Sequence, residues 1–249
     1  MGINALEELN LAGVRWELAE MPTKQTVKPA PQQQTFATAT NRNIETKPLI
    51  IPASAPITLD TVKSMVERPT DIASLVRMVC EFNHPLRSGA TNVALPNIAK
   101  NPNGLLIITD MPSADDDLSG QILSGSAGEL TDKMLAAIGM SRDTVSIIPL
   151  IFWRTPGGRT PTREELDLVR PFIDKMISML KPKIILTFGT LSATEIAKTN
   201  LTSSHGNEIE TENGCKIIPI YHPNYLILKP SAKKDVWEAL QNIQNLLKI

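Results

Sequence analysis

The chain has 249 residues, 42% hydrophobic, 20% charged and 4% aromatic, with a net charge of −1. That length carries one α/β domain plus extra sequence, and the near-neutral charge excludes a global pull toward nucleic acid, leaving only local basic patches for that purpose. So few aromatics exclude a single-strand binder built on stacking platforms, and two cysteines, Cys80 and Cys215, exclude a disulfide scaffold or a four-thiolate metal site within one chain.

Residues 5–18 place Leu6, Leu9, Val14 and Trp16 on a roughly helical spacing broken at Gly13, so an N-terminal helical segment is expected over 1–21. Glu7, Glu8 and Asn10 interrupt any signal-peptide core, and Leu6 stands where a myristoylation motif needs Ser or Thr. No stretch reaches the roughly 18 apolar residues of a membrane span. A cytoplasmic monomer without membrane attachment is expected. Residues 22–57 are rich in Pro, Thr and Ala with a Gln32-Gln33-Gln34 run. They bury too little apolar surface to offset ordering entropy, so they read as a linker, and the N-terminal segment reads as a tethered element for a protein partner.

From residue 58 the pattern becomes regular, and an α/β domain is expected over 58–249. Asp60 and Asp71 read as N-caps of short helices. Residues 105–109 (Leu-Leu-Ile-Ile-Thr) form a buried strand, followed by a helix over 128–138 stopped by Gly139. A second strand spans 145–151. A helix over 162–180 opens on a Thr162-x-x-Glu165 capping box. A third strand (183–188), a helix (191–198), a fourth strand (217–221) and a closing helix (232–247) complete the pattern. Apolar strands alternating with helices imply a three-layer α/β/α fold around a mostly parallel four-stranded sheet. Ligands of such sheets bind at the carboxyl ends of the strands. Attention therefore falls on the loops after Thr109, Ile151, Phe188 and Tyr221.

The first of these loops is Asp110-Met111-Pro112-Ser113, followed by an acidic run over 115–117. A carboxylate at a strand end can hold a water, and the acidic run can bind Mg²⁺ or cap a helix. The fourth loop is His222-Pro223-Asn224-Tyr225-Leu226. There a histidine fixed by a proline is placed to donate to a developing anion, or to serve only as a structural residue. Arg154 and Arg159 stand on a Pro/Gly frame, able to grip phosphates or to sit solvated. The segment 120–128 has small residues that admit a ligand close to the backbone. It lacks the Lys of a phosphate-binding loop and does not fit Gly-x-Gly-x-x-Gly.

In order, these segments resemble the uracil-DNA glycosylase superfamily, nearest its type 4 branch. Asp110-Met111-Pro112-Ser113 resembles that family's Gly-Glu-Ala-Pro-Gly. Residues 120–130 resemble its Gly-Arg-Pro-Phe-Val-Gly-x-Ala-Gly-x-Leu-Leu. Residues 153–162 resemble Arg-Pro-Pro-Gly-Asn-Arg-x-Pro-Thr, and His222-Pro223-Asn224-Tyr225-Leu226 resembles His-Pro-Ser-Tyr-Leu-Leu. The resemblance implies hydrolysis of the N-glycosidic bond of uracil or another deaminated base in DNA. Asp110 would place the water and His222 would donate to the departing base. Met111, Pro112, Ser113, Leu123 and Pro149 would line the base pocket. Gly125, Arg154, Arg159, Pro223, Asn224, Tyr225 and Lys229 would meet DNA containing the damaged base.

Several positions depart from the family. Its base-recognition Asn falls on Pro149, its stacking Phe on Leu123, and its Glu on the shorter Asp110. Of the four cysteines that hold the type 4 iron-sulfur cluster, only Cys80 has a counterpart. The others fall near Asn83 and on Trp153 and Val169, so no cluster, and no other cofactor, is expected. Three readings stand: an active glycosylase, a non-catalytic member that binds DNA or protein, and a nucleotide- or phosphate-binding α/β protein.

Overall fold

A computed structural model describes residues 57–247. The expected N-terminal helical segment and all but the last residue of the linker lie outside the described residues. In chain order the elements are α1 (Leu59–Val66), α2 (Ile72–Glu81), β1 (Leu105–Thr109), α3 (Ala114–Ser119), α4 (Gly125–Ala137), β2 (Ser146–Pro149), α5 (Arg163–Leu180), β3 (Ile184–Phe188), α6 (Thr190–Ile196), α7 (Leu201–Ser204), β4 (Ile209–Glu210), β5 (Lys216–Ile220), α8 (Pro223–Leu228) and α9 (Lys233–Leu247).

The sheet runs β2-β1-β3-β5-β4. The first four strands are parallel, and β4 pairs antiparallel with β5 at the edge. The four expected strands are thus present. The fifth is a two-residue edge strand, too short to leave a periodic signature in sequence. β1 and β3 are buried throughout. Their residues still alternate between faces, as the two-residue period of a strand requires. Leu106 and Ile108 join one apolar cluster with Val62, Leu75, Val169 and Ile173, under α1, α2 and α5. Leu105 and Ile107 join the other with Leu135, Leu226, Val236 and Leu240, under α4, α8 and α9. Both faces are covered, which is why the strands read as continuous apolar runs.

Local chemistry sets the element ends. Thr162 Oγ1 accepts the Glu165 amide while Glu165 accepts the Thr162 amide, closing the expected capping box. Asp71 caps α2 as expected. Asp60 does not cap α1. Thr58 does, and Asp60 lies in the first turn, where its charge favours the helix dipole. α4 begins three residues earlier than expected, at Gly125. The second strand ends at Pro149 rather than 151. Among the described residues no helix is long and apolar enough to cross a membrane.

Candidate active site

The carboxyl ends of β1, β2, β3 and β5 bring Thr109, Pro149, Phe188 and the loop after Ile220 to one edge of the sheet. Asp110 is the first residue beyond β1. Its Oδ1 accepts the Ser192 amide at 2.6 Å and its Oδ2 the Leu191 amide at 3.4 Å. It therefore spans the start of α6, whose N-cap, Gly189, has no side chain to offer. A Cβ at Gly189 would lie 2.2 Å from Asp110 Oδ2, so only glycine admits the carboxylate here. Burial raises the Asp110 carboxyl above its ordinary value, and the bonds from Ser192 and Leu191 pull the other way.

His222 caps α8 through its own ring: Nδ1 accepts the Asn224 amide at 3.1 Å. Its Nε2 lies 3.0 Å from Thr109 Oγ1, and its ring meets Phe188 edge-on at 6.4 Å between centroids. Burial pushes its pKa from 6.5 down to about 4, and the negative charge of Asp116 acts in the opposite sense. The imidazole is therefore neutral near pH 7 and carries its hydrogen on Nε2. Asp110 and His222 are connected through Thr109, the sequence neighbour of one and the hydrogen-bond partner of the other.

The depressed histidine makes folding pH-dependent. A neutral folded imidazole gives stability that is present above the unfolded value of 6.5 and is lost as pH falls toward about 4. His222 alone contributes a slope of about 1.4 kcal/mol per pH unit across that window. Burial also lowers His84 and His205, which add to the slope with the same sign. Urea denaturation between pH 7 and pH 4 should show the slope, and His222→Gln should remove its share. An unchanged slope in that variant would contradict the assigned burial.

The pocket segments are held by groups that sequence reading did not single out. Asp116 Oδ1 accepts the Ser124 amide and hydroxyl, both at 2.7 Å, and Oδ2 accepts the Ser113 amide at 2.9 Å. One carboxylate thus joins the loop after β1 to the loop before α4. Arg142 donates to the carbonyls of Ile122 (3.1 Å) and Leu123 (2.6 Å). Leu123 is buried with φ 50, and a Cβ at Gly128 would lie 2.0 Å from its carbonyl oxygen. Pro112 is buried, and Met111 Sδ lies 3.5 Å from the Thr155 hydroxyl, which donates to the Arg159 carbonyl at 2.5 Å. Pro149 pairs in register with Thr109 and offers no side-chain hydrogen bond.

The residues expected to meet DNA divide. Asn224 and Lys229 are exposed, and Tyr225 is 38% exposed with Lys229 Nζ 5.9 Å from its ring centre. Gly125 is exposed with φ 60, and Pro223 is buried as the first residue of α8. Arg154 is half-buried, and its Nε has no hydrogen-bond partner among the described residues. Arg159 is engaged elsewhere: Nη1 and Nη2 bind Glu165 at 2.8 and 2.6 Å. Of the acidic run, Asp116 and Asp117 are buried hydrogen-bond acceptors. Among the described residues no three His, Cys, Asp or Glu gather as metal ligands.

The family described as the Uracil DNA glycosylase superfamily matches residues 96–243, more than half of the chain. The chain is 26% identical over 161 residues to the type-4 uracil-DNA glycosylase of Archaeoglobus fulgidus, covering 61% of this chain and 81% of that protein. It is 28% identical over 169 residues to that of Thermotoga maritima (66% and 88%). It is 27% identical over 158 residues to that of Pyrobaculum aerophilum (59% and 80%). Two of the positions that the resemblance assigns to the type 4 cluster ligands, Trp153 and Val169, carry no sulfur donor. Trp153 and Val169 are buried core residues, and Trp153 lies flat on His84 with ring centres 4.7 Å apart.

Proposed function

The chain belongs to the uracil DNA glycosylase superfamily, and from that premise we propose that it hydrolyses the N-glycosidic bond of uracil or another deaminated base in DNA. The observation that carries this reading is the pairing, at the ends of β1 and β5 on either side of β3, of a buried carboxylate with a neutral histidine that holds a hydrogen on Nε2. Flipping a base out of the stack costs a few kcal/mol. As the bond to the sugar stretches, negative charge builds on the base and positive charge on the sugar. A neutral N–H donor in a water-poor site stabilises the first, exchanging its Thr109 hydroxyl partner for the base. The Asp110 carboxylate, ionised above its raised pKa, orients the attacking water and faces the second. Lys229, Arg154, Asn224 and Tyr225 supply the local positive and polar surface for phosphates that the overall charge does not. No iron-sulfur cluster takes part in this proposal.

A second reading has one observation in its favour. Both Asp110 oxygens already accept helix amides, the geometry of a cap rather than of a free base, and Pro149 recognises nothing. A DNA-binding member without catalysis would have that arrangement.

Oligonucleotides containing uracil, hypoxanthine or xanthine, treated with alkali after incubation, separate the two. Cleavage should be lost in Asp110→Asn and fall about 10²–10³-fold in His222→Ala, the usual cost of one preorganised donor. DNA binding without alkali-sensitive breaks in the unmodified protein would support the second reading.

A further inference from the structure

The loop after β2 carries Arg154, and one buried histidine, His84, ties both of its ends. The His84 ring lies flat on Trp153, with centres 4.7 Å apart and planes 2° from parallel. Its Nε2 lies 3.0 Å from the Glu165 carbonyl and its Nδ1 3.2 Å from the Leu86 amide. A carbonyl only accepts and an amide N–H only donates, so Nε2 bears the hydrogen and donates to Glu165 while Nδ1 accepts from Leu86. Both ring nitrogens and one ring face are committed, at 1% exposure. The Glu165 carboxylate in turn accepts the Thr162 amide at 2.7 Å and two Arg159 nitrogens at 2.8 and 2.6 Å. Within the loop the Thr155 hydroxyl donates to the Arg159 carbonyl at 2.5 Å. Arg154 therefore stands between two anchored residues, Trp153 and Arg159, the first stacked on His84 and the second joined to it through Glu165.

The same contacts lie where the resemblance to the type 4 branch puts an iron-sulfur cluster, whose ligand positions fall on Cys80, near Asn83, and on Trp153 and Val169. Phe82, between Cys80 and Asn83 in sequence, has its ring centre 6.1 Å from that of His84, 6.2 Å from Trp153 and 5.1 Å from Phe172. Val169 is buried in the same apolar cluster as Phe82, Trp153 and Phe172. Aromatic carbon thus packs between these positions, with Cys80 the one sulfur among them. A single thiolate does not hold a four-iron cluster, which takes four ligands. Trp153 Nε1 has no hydrogen-bond partner among the described residues, so the indole acts here through its ring face.

We propose that His84 and Trp153 form a metal-free clamp that stands in place of a cluster and positions Arg154 for a DNA phosphate. His84 is a positioning residue: it reaches DNA only through the loop it holds. The proposal rests on the DNA-binding part of the glycosylase reading. Its physical basis is preorganisation. A loop containing Pro156, Gly157, Gly158 and Pro161 has conformational freedom to lose when an arginine in it grips a phosphate, and one tied at both ends has less to lose. Arg154 Nε has no partner among the described residues, so the guanidinium is uncommitted on that side.

Iron and sulfide are measured on the full chain expressed anaerobically with excess iron. Binding to an oligonucleotide carrying non-cleavable 2′-fluoro-deoxyuridine is compared in the unmodified protein, His84→Ala, Arg154→Ala and the double variant. Iron should stay at background and the preparation colourless. Each single substitution should weaken binding about tenfold. The double variant should bind no more weakly than Arg154→Ala, because His84 acts through that side chain. Trp153→Leu should weaken binding as His84→Ala does, and Trp153→Phe, which keeps an aromatic face, should restore most of it. His84→Gln keeps a donor and an acceptor but loses the ring face, and it takes the place of the alanine variant, with the same expected pattern, should that one not fold. About four irons per chain would overturn the proposal. Losses that multiply in the double variant would overturn it as well, since His84 would then serve folding alone. So would undiminished binding in the His84 variants. Absence of cleavage in an unmodified protein that binds DNA defeats the glycosylase reading alone and leaves the clamp standing, whereas no binding at all overturns the clamp's role.

Discussion

Replacing Asp116 by alanine is expected to lower the free energy of unfolding by about 4 kcal/mol. The side chain is 3% exposed and accepts three hydrogen bonds, from the Ser113 amide and from the amide and hydroxyl of Ser124. Alanine strands those donors away from water, each at about 1–3 kcal/mol, with some relief from rotation of the Ser124 hydroxyl. The damage extends beyond stability. Ser113 and Ser124 lie in the two loops that flank the site, so the segment from Met111 to Leu123 loses its common anchor. Asp116→Asn keeps one acceptor oxygen and should lose about half as much. Urea denaturation at neutral pH measures both variants. A change within the range of ordinary surface substitutions, about 0.5 kcal/mol, would contradict the anchoring role.

Gly189→Ala is expected to lower stability by about 3 kcal/mol and to slow cleavage by about 100-fold. Two costs combine. The backbone at Gly189 has φ 104 and ψ 177, a region reached almost only by glycine and costing other residues about 1–3 kcal/mol. The new methyl would also lie 2.2 Å from Asp110 Oδ2 and 2.6 Å from its Cγ. The carboxylate must then leave the α6 amides, and a displacement of about 1 Å at a reacting group is enough for a 100-fold loss. Gly157→Ala separates the two causes, since Gly157 has φ 65 and no atom within 4 Å of an added Cβ. It should show the backbone strain, about 1 kcal/mol, with cleavage intact. Equal loss of cleavage in both variants would contradict the link from Gly189 to Asp110.

Sequence and structure agree where burial leaves a periodic mark. β1, β3 and β5 are apolar because helices cover both faces, so each reads as an unbroken run within one residue of its observed ends. The Thr162–Glu165 box is local chemistry, visible at a spacing of three residues. Asp110 and His222 stand out because they follow apolar strands. What stays hidden depends on contacts distant in sequence. Thr109 and His222 are 113 residues apart, and Thr109 reads only as the end of a strand until the fold joins them. Asp116 reads as one member of a solvated acidic run, yet it is buried. Gly189 carries a local signal, a lone glycine between a strand and a helix, but its partner Asp110 follows a different strand. The Arg159–Glu165 pair is likewise invisible in a reading of the Pro/Gly loop that places Arg159 among phosphate-binding candidates. The edge strand β4 and the short helices α3, α7 and α8 span two to six residues, less than the window over which periodicity declares itself.

The central claim, that the edge of the sheet holding Asp110, Thr109 and His222 breaks an N-glycosidic bond, is tested most directly by free-base release under single-turnover conditions. The full chain is incubated with a uracil-containing oligonucleotide and the supernatant is resolved by mass. The account predicts free uracil in step with abasic sites, with release abolished in Asp110→Asn. An oligonucleotide that is bound yet retains every base after prolonged incubation, whether the lesion is uracil, hypoxanthine or xanthine, would contradict it.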